Sequence, residues 1–160
     1  MSKKVDLSVV RGSSIASELS DAECAILAGV VTRRVLVNGE ILIEEDQVDH
    51  TLYVIVSGAL EVCRHTGGDW ITLHVLKAGD LAGELGFIDG QPHSATLRAI
   101  GPTEVFILER SQFEALLEGH ARLTYGVMRA ILRTVHSILR RMNMQFVELS
   151  NYITKQHGRY

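Results

Sequence analysis

A chain of 160 residues, 46% apolar and 22% charged, is long enough for one domain with a real core and is ordinary for a water-soluble globular protein. No stretch approaches a membrane span or a secretory signal, and two cysteines without a CxxC pair, Cys24 and Cys63, argue for a reducing cytoplasm and against a disulfide scaffold or a structural zinc site. The net charge of -3 hides an asymmetry: from residue 121 onward there are seven Lys or Arg against one acid, Glu148, a balance of +6, so the residues before it sum to -9.

Residues 1–19 show no clear periodicity and read as a leader, which leaves the domain to residues 20–160. Ser20-Asp21-Ala22-Glu23 has the pattern of a capping box, and Ile26, Leu27, Val30 and Val31 follow at helical spacing. The period then changes. VLV, EILIE, TLYVIVSGALEVC, DWITLHVL, ATLRAI and TEVFILE are β-rich runs. They are separated by Asn38-Gly39, Ser57-Gly58, Gly67-Gly68, Ala78-Gly79-Asp80, Asp89-Gly90 and Gly101-Pro102. Strands of this kind between closely spaced turns predict a sandwich or rolled barrel over about 33–109, and the absence of βαβ alternation argues against a parallel doubly wound sheet.

Helical signals return over about 111–154. Ser111-Gln112-Phe113-Glu114 reads as a second capping box, with Gly119 ending a short helix. From 121 to about 152 no Pro interrupts, which predicts one long helix. Met128, Ile131, Val135, Ile138, Met142 and Leu149, with Gln145 in the remaining place, follow the alternating three–four spacing of a dimerisation seam. Leu132, Leu139 and Phe146 form a second row, expected to pack on the β body, so that the seam is left for a symmetry mate. Arg129, Arg133, His136 and Arg140 fall on an outer stripe, expected to face solvent or another macromolecule.

In their order and spacing, HTLYVIVSGALEV (50–62), LKAGDLAGELGFI (76–88), HSATLRA (93–99) and TEVFILERSQFEALL (103–117) resemble a cyclic nucleotide-binding domain of the Crp/Fnr type, the sensor half of the catabolite activator protein family. The resemblance runs over about 19–145. It implies a mainly β fold with α: a β roll of the jelly-roll type, a short N-terminal helix and a long C-terminal dimerisation helix. It also implies a phosphate-binding cassette in GELGFIDGQPHSATLRA. There Gly83 and Gly86 let the backbone approach a cyclic phosphate without a Cβ in the way, and exposed N–H groups at the start of a short helix, around Leu85, favour the anion. Glu84 would accept from the ribose 2′-hydroxyl, while Ser94 and the backbone at Ala95 would hold phosphate oxygens.

One position departs from the family pattern. An arginine usually stands where this chain has His93. Arg offers phosphate a permanently charged fork, whereas a histidine offers one donor at a time and is ordinarily neutral above pH about 6.5. Losing a charged pair there costs about 1.5–3 kcal/mol, roughly ten- to a hundredfold in affinity. The long helix offers Ile138 and Leu139 where activator relatives place base-contacting hydroxyls. Thr134 and Arg141, on the flank of the seam, are the residues here able to reach the ligand.

Activators of this family continue into a helix-turn-helix, and the residues after the long helix are too few for one, so direct DNA contact is not expected. Cys63 and His65 alternate on one strand and do not suggest haem. No metal site and no catalytic motif stands out, so an enzyme is not expected. Two readings follow. One is a stand-alone regulatory sensor for cyclic AMP, cyclic GMP or a cyclic dinucleotide such as cyclic di-GMP, homodimeric and signalling to a protein partner. The other is a ligand-independent dimerisation scaffold on a degenerate cassette.

Overall fold

The computed structural model describes residues 5–157. Residues 1–4 of the expected leader, and 158–160 at the basic end, lie outside them. The rest of that leader is structured. Asp6 caps a short helix α1 (Leu7–Arg11), its side chain accepting from the Ser8 N–H, and a 3₁₀ turn follows at Ser14–Ala16. Val5, Val10, Ile15 and Ala16 are all buried in the core. Elements this short carry too few turns to display a period, so their apolar residues looked scattered in the sequence.

Helix α2 (Asp21–Val30) opens with the expected capping box. The Ser20 hydroxyl accepts from the Glu23 N–H, and the Glu23 carboxylate accepts from the Ser20 N–H. Strands β1 (Thr32–Leu36), β2 (Ile41–Ile43), β3 (Thr51–Thr66), β4 (Asp69–Lys77) and β5 (Leu81–Ala82) follow, then helix α3 (Glu84–Asp89) and strand β6 (Thr96–Glu109). All pairings are antiparallel, in the order β1-β6-β3-β4, with β2 also on β6 and β5 also on β3.

The long strands β3 and β6 are the spine of the roll. One end of β6 pairs with β1 and the other with β2; β3 pairs likewise with β5 and β4. Their register shifts between Ile55 and Ala59, where Gly58 adopts φ 78°. A Cβ on Gly58 would collide with the Pro102 carbonyl and with Thr103. The Thr103 hydroxyl fastens this bend, donating to the Ala59 carbonyl at 2.9 Å and accepting from the Ala59 N–H at 3.3 Å. Bulges of this kind let long strands turn from one layer to the other.

Two apolar clusters result. Leu36, Ile43, Ile55, Leu60, Leu97 and Val105 belong to one, formed by the strands alone. Val54, Phe106 and Leu108 join the helices in the other, with Val10, Ile15, Leu27, Phe87, Phe113 and Ile131.

Helix α4 (Arg110–Glu114) begins one residue before the expected capping box. Its N-cap is Glu109, with no side-chain cap, so Ser111 does not cap it. The reason is that β6 runs straight into the helix: the Arg110 N–H donates to the His50 carbonyl at 2.9 Å, and Arg110 pairs with Glu114 one turn on.

Helix α5 (Ala121–His157) is 37 residues long, about 55 Å at the usual rise. Its first turns dock through Leu123, Val127, Ala130 and Ile131, all buried. Gly126 sits so close to Leu19 that a Cβ there would approach its Cδ2 to 2.9 Å. Past Ile131 no residue through 156 is buried.

The expected division of α5 into seam and body row needs correction. Ile131 is in the core, so it is not a seam residue, and Ile138 and Gln145 continue its line along the helix. Leu132, Leu139 and Phe146, expected against the β body, are exposed. They interleave with Met128, Val135, Met142 and Leu149 at alternating spacings of four and three, so the outward apolar row runs Met128-Leu132-Val135-Leu139-Met142-Phe146-Leu149. The basic stripe is also partly engaged. Arg129 and Arg133 both pair with Glu18, Arg129 at 3.3 Å, tying the helix to the segment before α2.

Candidate functional site

Strand β5 ends at Ala82, and the chain turns into α3 through Gly83 in the left-handed region at φ 78°. That conformation suits glycine, and so does the space: a Cβ would lie 2.7 Å from the Thr51 carbonyl oxygen and 3.2 Å from the Tyr53 ring. Gly86, one turn into α3, is buried against the other wall. A Cβ there would come within 3.0 Å of the His93 ring and 3.1 Å of the Asp49 carbonyl oxygen. The glycines of GELG thus let α3 lie against the loop before β3 and against His93. Gly90, left-handed at φ 65°, ends the helix, its N–H donating to the Gly86 carbonyl.

Glu84 is the first residue of α3. Burial pushes its carboxyl above the ordinary carboxylate range, while its own backbone N–H and the charge of His93 work the other way. The result is a desolvated acid at the start of a helix, a strong acceptor for a hydroxyl that comes within reach.

The residues expected at the cassette do not all share one environment. Leu85 is exposed, Ser94 is exposed, and Ala95 is buried where β6 begins. His93 is nearly buried and faces inward, its Nε2 3.0 Å from Asp49 Oδ1. The backbone around it is fixed as well: the His93 N–H donates to the Gln47 carbonyl at 3.0 Å, and its carbonyl accepts from the Asp46 N–H at 2.8 Å. Thr134 is half-buried and donates to the Ala130 carbonyl at 3.2 Å, a bond within its own helix. The charge of Arg141 acts at β4. His74 is held below the ordinary histidine range by burial first and by Arg141 second, with Lys77 adding a little and Asp80 opposing.

Asp49, Thr51 and Tyr53 were not singled out in the sequence. Asp49 Oδ1 accepts from the Thr51 N–H at 3.2 Å, and Oδ2 accepts from the Tyr53 hydroxyl at 3.3 Å. Tyr53 in turn has its phenol pushed up to about 12, by burial above all and then by the Asp49 charge. The turn formed by Asp49 with Thr51 has a local signature. Its partnership with His93, 44 residues away, has none.

The model of the cyclic nucleotide-binding domain matches residues 33–120, more than half of the chain, from the second residue of β1 through the cassette and past α4. The chain belongs to the cyclic nucleotide-binding domain family. It is 29% identical over 109 residues to a cyclic AMP receptor protein of Thermus thermophilus, covering 68% of this chain and 50% of that protein. It is 31% identical over 120 residues to a cAMP-dependent protein kinase regulatory subunit of Mycosarcoma maydis, covering 68% of this chain and 23% of the other. The chain therefore spans half or less of the length of these curated relatives.

Among solved structures, the catabolite activator protein of Thermus thermophilus is 27% identical with a TM-score of 0.74, covering 86% of this chain and 63% of that one. A cyclic nucleotide-binding domain from Methylobacillus flagellatus shares the fold at 23% identity and a TM-score of 0.79, covering 89% of this chain and 80% of that one. The mainly antiparallel β roll with a short helix before it and a long helix after it is the fold that the sequence resemblance implied. Among the described residues no helix is long and apolar enough to cross a membrane, and no group of three or more His, Cys, Asp or Glu is placed to hold a metal ion.

Proposed function

We propose that this domain is a non-catalytic regulatory sensor, in the cytoplasm, that takes a cyclic nucleotide at the cassette and passes the event to a protein partner through α5. The observation that carries the reading is the Gly83–Glu84 step. A glycine held left-handed against β3 presents a desolvated carboxyl at the start of α3, within the span that matches the family. Glu84 accepts from the ribose hydroxyl, and Ser94 with the Ala95 N–H holds the cyclic phosphate. Thr134 and Arg141 are the helix residues that reach toward the ligand. The relatives named for cyclic AMP make cyclic AMP the first ligand to try, before cyclic GMP and cyclic di-GMP.

The dimer belongs to the same proposal. The outward row of α5 is an apolar stripe at heptad spacing on a helix that extends beyond its own body, the geometry of a two-stranded seam. A second copy covers it, and the ligand's pull on the cassette shifts the equilibrium between two settings of the paired helices.

The second reading, a dimerisation scaffold that takes no ligand, is favoured by a specific observation: His93 is already paired with Asp49. Calorimetry on the purified protein with each of the three cyclic nucleotides separates the two. Heat of binding to cyclic AMP that disappears in Glu84→Ala supports the sensor. No heat from any of the three in the unmodified protein supports the scaffold.

A further inference from the structure

Asp49 behaves like a bound anion. Its carboxylate accepts four hydrogen bonds: Oδ1 from His93 at 3.0 Å and from the Thr51 N–H at 3.2 Å, Oδ2 from the Tyr53 hydroxyl at 3.3 Å and from the Gln47 amide at 3.4 Å. The His93 and Asp49 side chains are only 9% and 17% exposed, so water screens the pair weakly. A carboxylate has no proton to give, so His93 donates through Nε2. The Nε2 proton is thus spent on Asp49 and is not free for an incoming anionic oxygen.

We propose that Asp49 is an affinity-limiting residue of the cassette, an internal anion that occupies on His93 the place a ligand's phosphate would take. This rests on the reading of 83–95 as a cyclic nucleotide site. The imidazole answers a cyclic phosphate only when the carboxylate gives it up, so Asp49 lowers affinity for phosphate-bearing ligands. The two features compound each other: a histidine is a weaker phosphate partner than an arginine, and this histidine is already engaged. The carboxylate is also a like charge beside the phosphate position, and a like charge so little exposed to water disfavours the anion.

Asp49→Asn tests the idea with little change of shape: Oδ1 still accepts from the Thr51 N–H and from His93, but the negative charge that holds the imidazole is gone, and Asp49→Ala removes the acceptor as well. Titration calorimetry with cyclic AMP should show Asp49→Asn binding at least tenfold tighter than the unmodified protein, the size of one charge-assisted contact. Asp49→Ala should move affinity the same way. Asp46→Asn is the control: it neutralises an exposed acid in the same loop without touching the imidazole, and should leave affinity within about twofold.

Adding Glu84→Ala to Asp49→Asn should remove the gain, which locates it at the cassette. If the unmodified protein binds and both Asp49 variants bind no tighter, the carboxylate is orienting His93 for the ligand and the proposal is overturned while the sensor reading stands. An Asp46→Asn gain equal to that of Asp49→Asn would overturn it too, in favour of overall charge. If no variant binds cyclic AMP, cyclic GMP or cyclic di-GMP, the sensor reading and the role of Asp49 fall together.

Discussion

Ile131 and Leu132 are neighbours in α5 with opposite surroundings: Ile131 is 0% exposed, packed into the helical core, and Leu132 is 69% exposed. A step of one residue on a helix turns the side chain by about 100°, so the face that docks and the face that is free are separated by a single position. Substitutions on the two faces should therefore have different consequences. Ile131→Ala should cost about 2–5 kcal/mol of folding stability, the usual cost of emptying a core isoleucine site. Leu132→Asp and Leu139→Asp should leave stability within about 0.5 kcal/mol in a monomer and abolish the proposed dimer. Sedimentation equilibrium beside urea unfolding reads both. A wild-type protein that sediments as a monomer at high concentration would remove the seam.

That pair also shows what could be read in advance. The heptad column Met128-Val135-Met142-Leu149 is flanked by Ile131-Ile138-Gln145 on one side and Leu132-Leu139-Phe146 on the other. Either flank completes an alternating three–four pattern. Periodicity cannot choose between them, because the choice depends on which flank the β body covers. The α2 capping box was legible because both its hydrogen bonds lie within four residues. The same motif at Ser111 misled, since a non-local bond from Arg110 to His50 fixes where α4 starts. Likewise the GELG loop and Glu84 were visible as a motif, whereas the Asp49–His93 contact that qualifies the site joins two loops far apart in sequence.

Glu18 holds two arginines of α5, Arg129 and Arg133, so the helix that would carry the signal is tethered to the segment before α2. All three side chains are partly exposed, and pairs of this kind contribute at most about 1 kcal/mol. Glu18→Ala should therefore lower global stability only slightly. It should still speed amide hydrogen exchange in the first turns of α5 relative to the β roll, because this tether anchors the docked end. Unchanged exchange across 121–134 would show that Leu123, Val127 and Ile131 hold the helix unaided.

Gly83 and Gly101 both have positive φ, 78° and 68°, but only Gly83 is crowded. At Gly101 no atom lies within 4 Å of an added Cβ, so Gly101→Ala should cost only the left-handed penalty, about 1–2 kcal/mol. Gly83→Ala adds a clash with the Thr51 carbonyl and should cost about 1–3 kcal/mol more if the loop stays in place. The chain has an easier escape, which is to move the loop. The variant is therefore expected to lose cyclic nucleotide binding more completely than it loses stability. Comparing urea midpoints with calorimetric affinity for the two alanine variants checks this, and equal effects at both glycines would count against a fixed Gly83 loop.

Glu84 should trade stability for binding. Burial raises its carboxyl pKa in the folded protein, so the native state keeps this proton to a higher pH than the unfolded chain does. Below the ordinary carboxylate range both states hold the proton and Glu84 costs nothing. As pH rises through that range toward the raised native value, the unfolded chain releases its proton first, and stability falls. Above the native value the penalty is complete. Glu84→Gln has no charge to desolvate, so at pH 7 it should melt at a higher temperature than the wild type. The difference should shrink as pH drops below about 4. The same change should weaken cyclic nucleotide binding by roughly ten- to a hundredfold, since an amide oxygen is a poorer acceptor for the ribose hydroxyl than a carboxylate. Calorimetric melting from about pH 3 to 8, paired with ligand titration at pH 7, measures both sides. A Glu84→Gln protein less stable than wild type at pH 7 would mean that the carboxylate is satisfied inside the fold rather than held ready for a ligand.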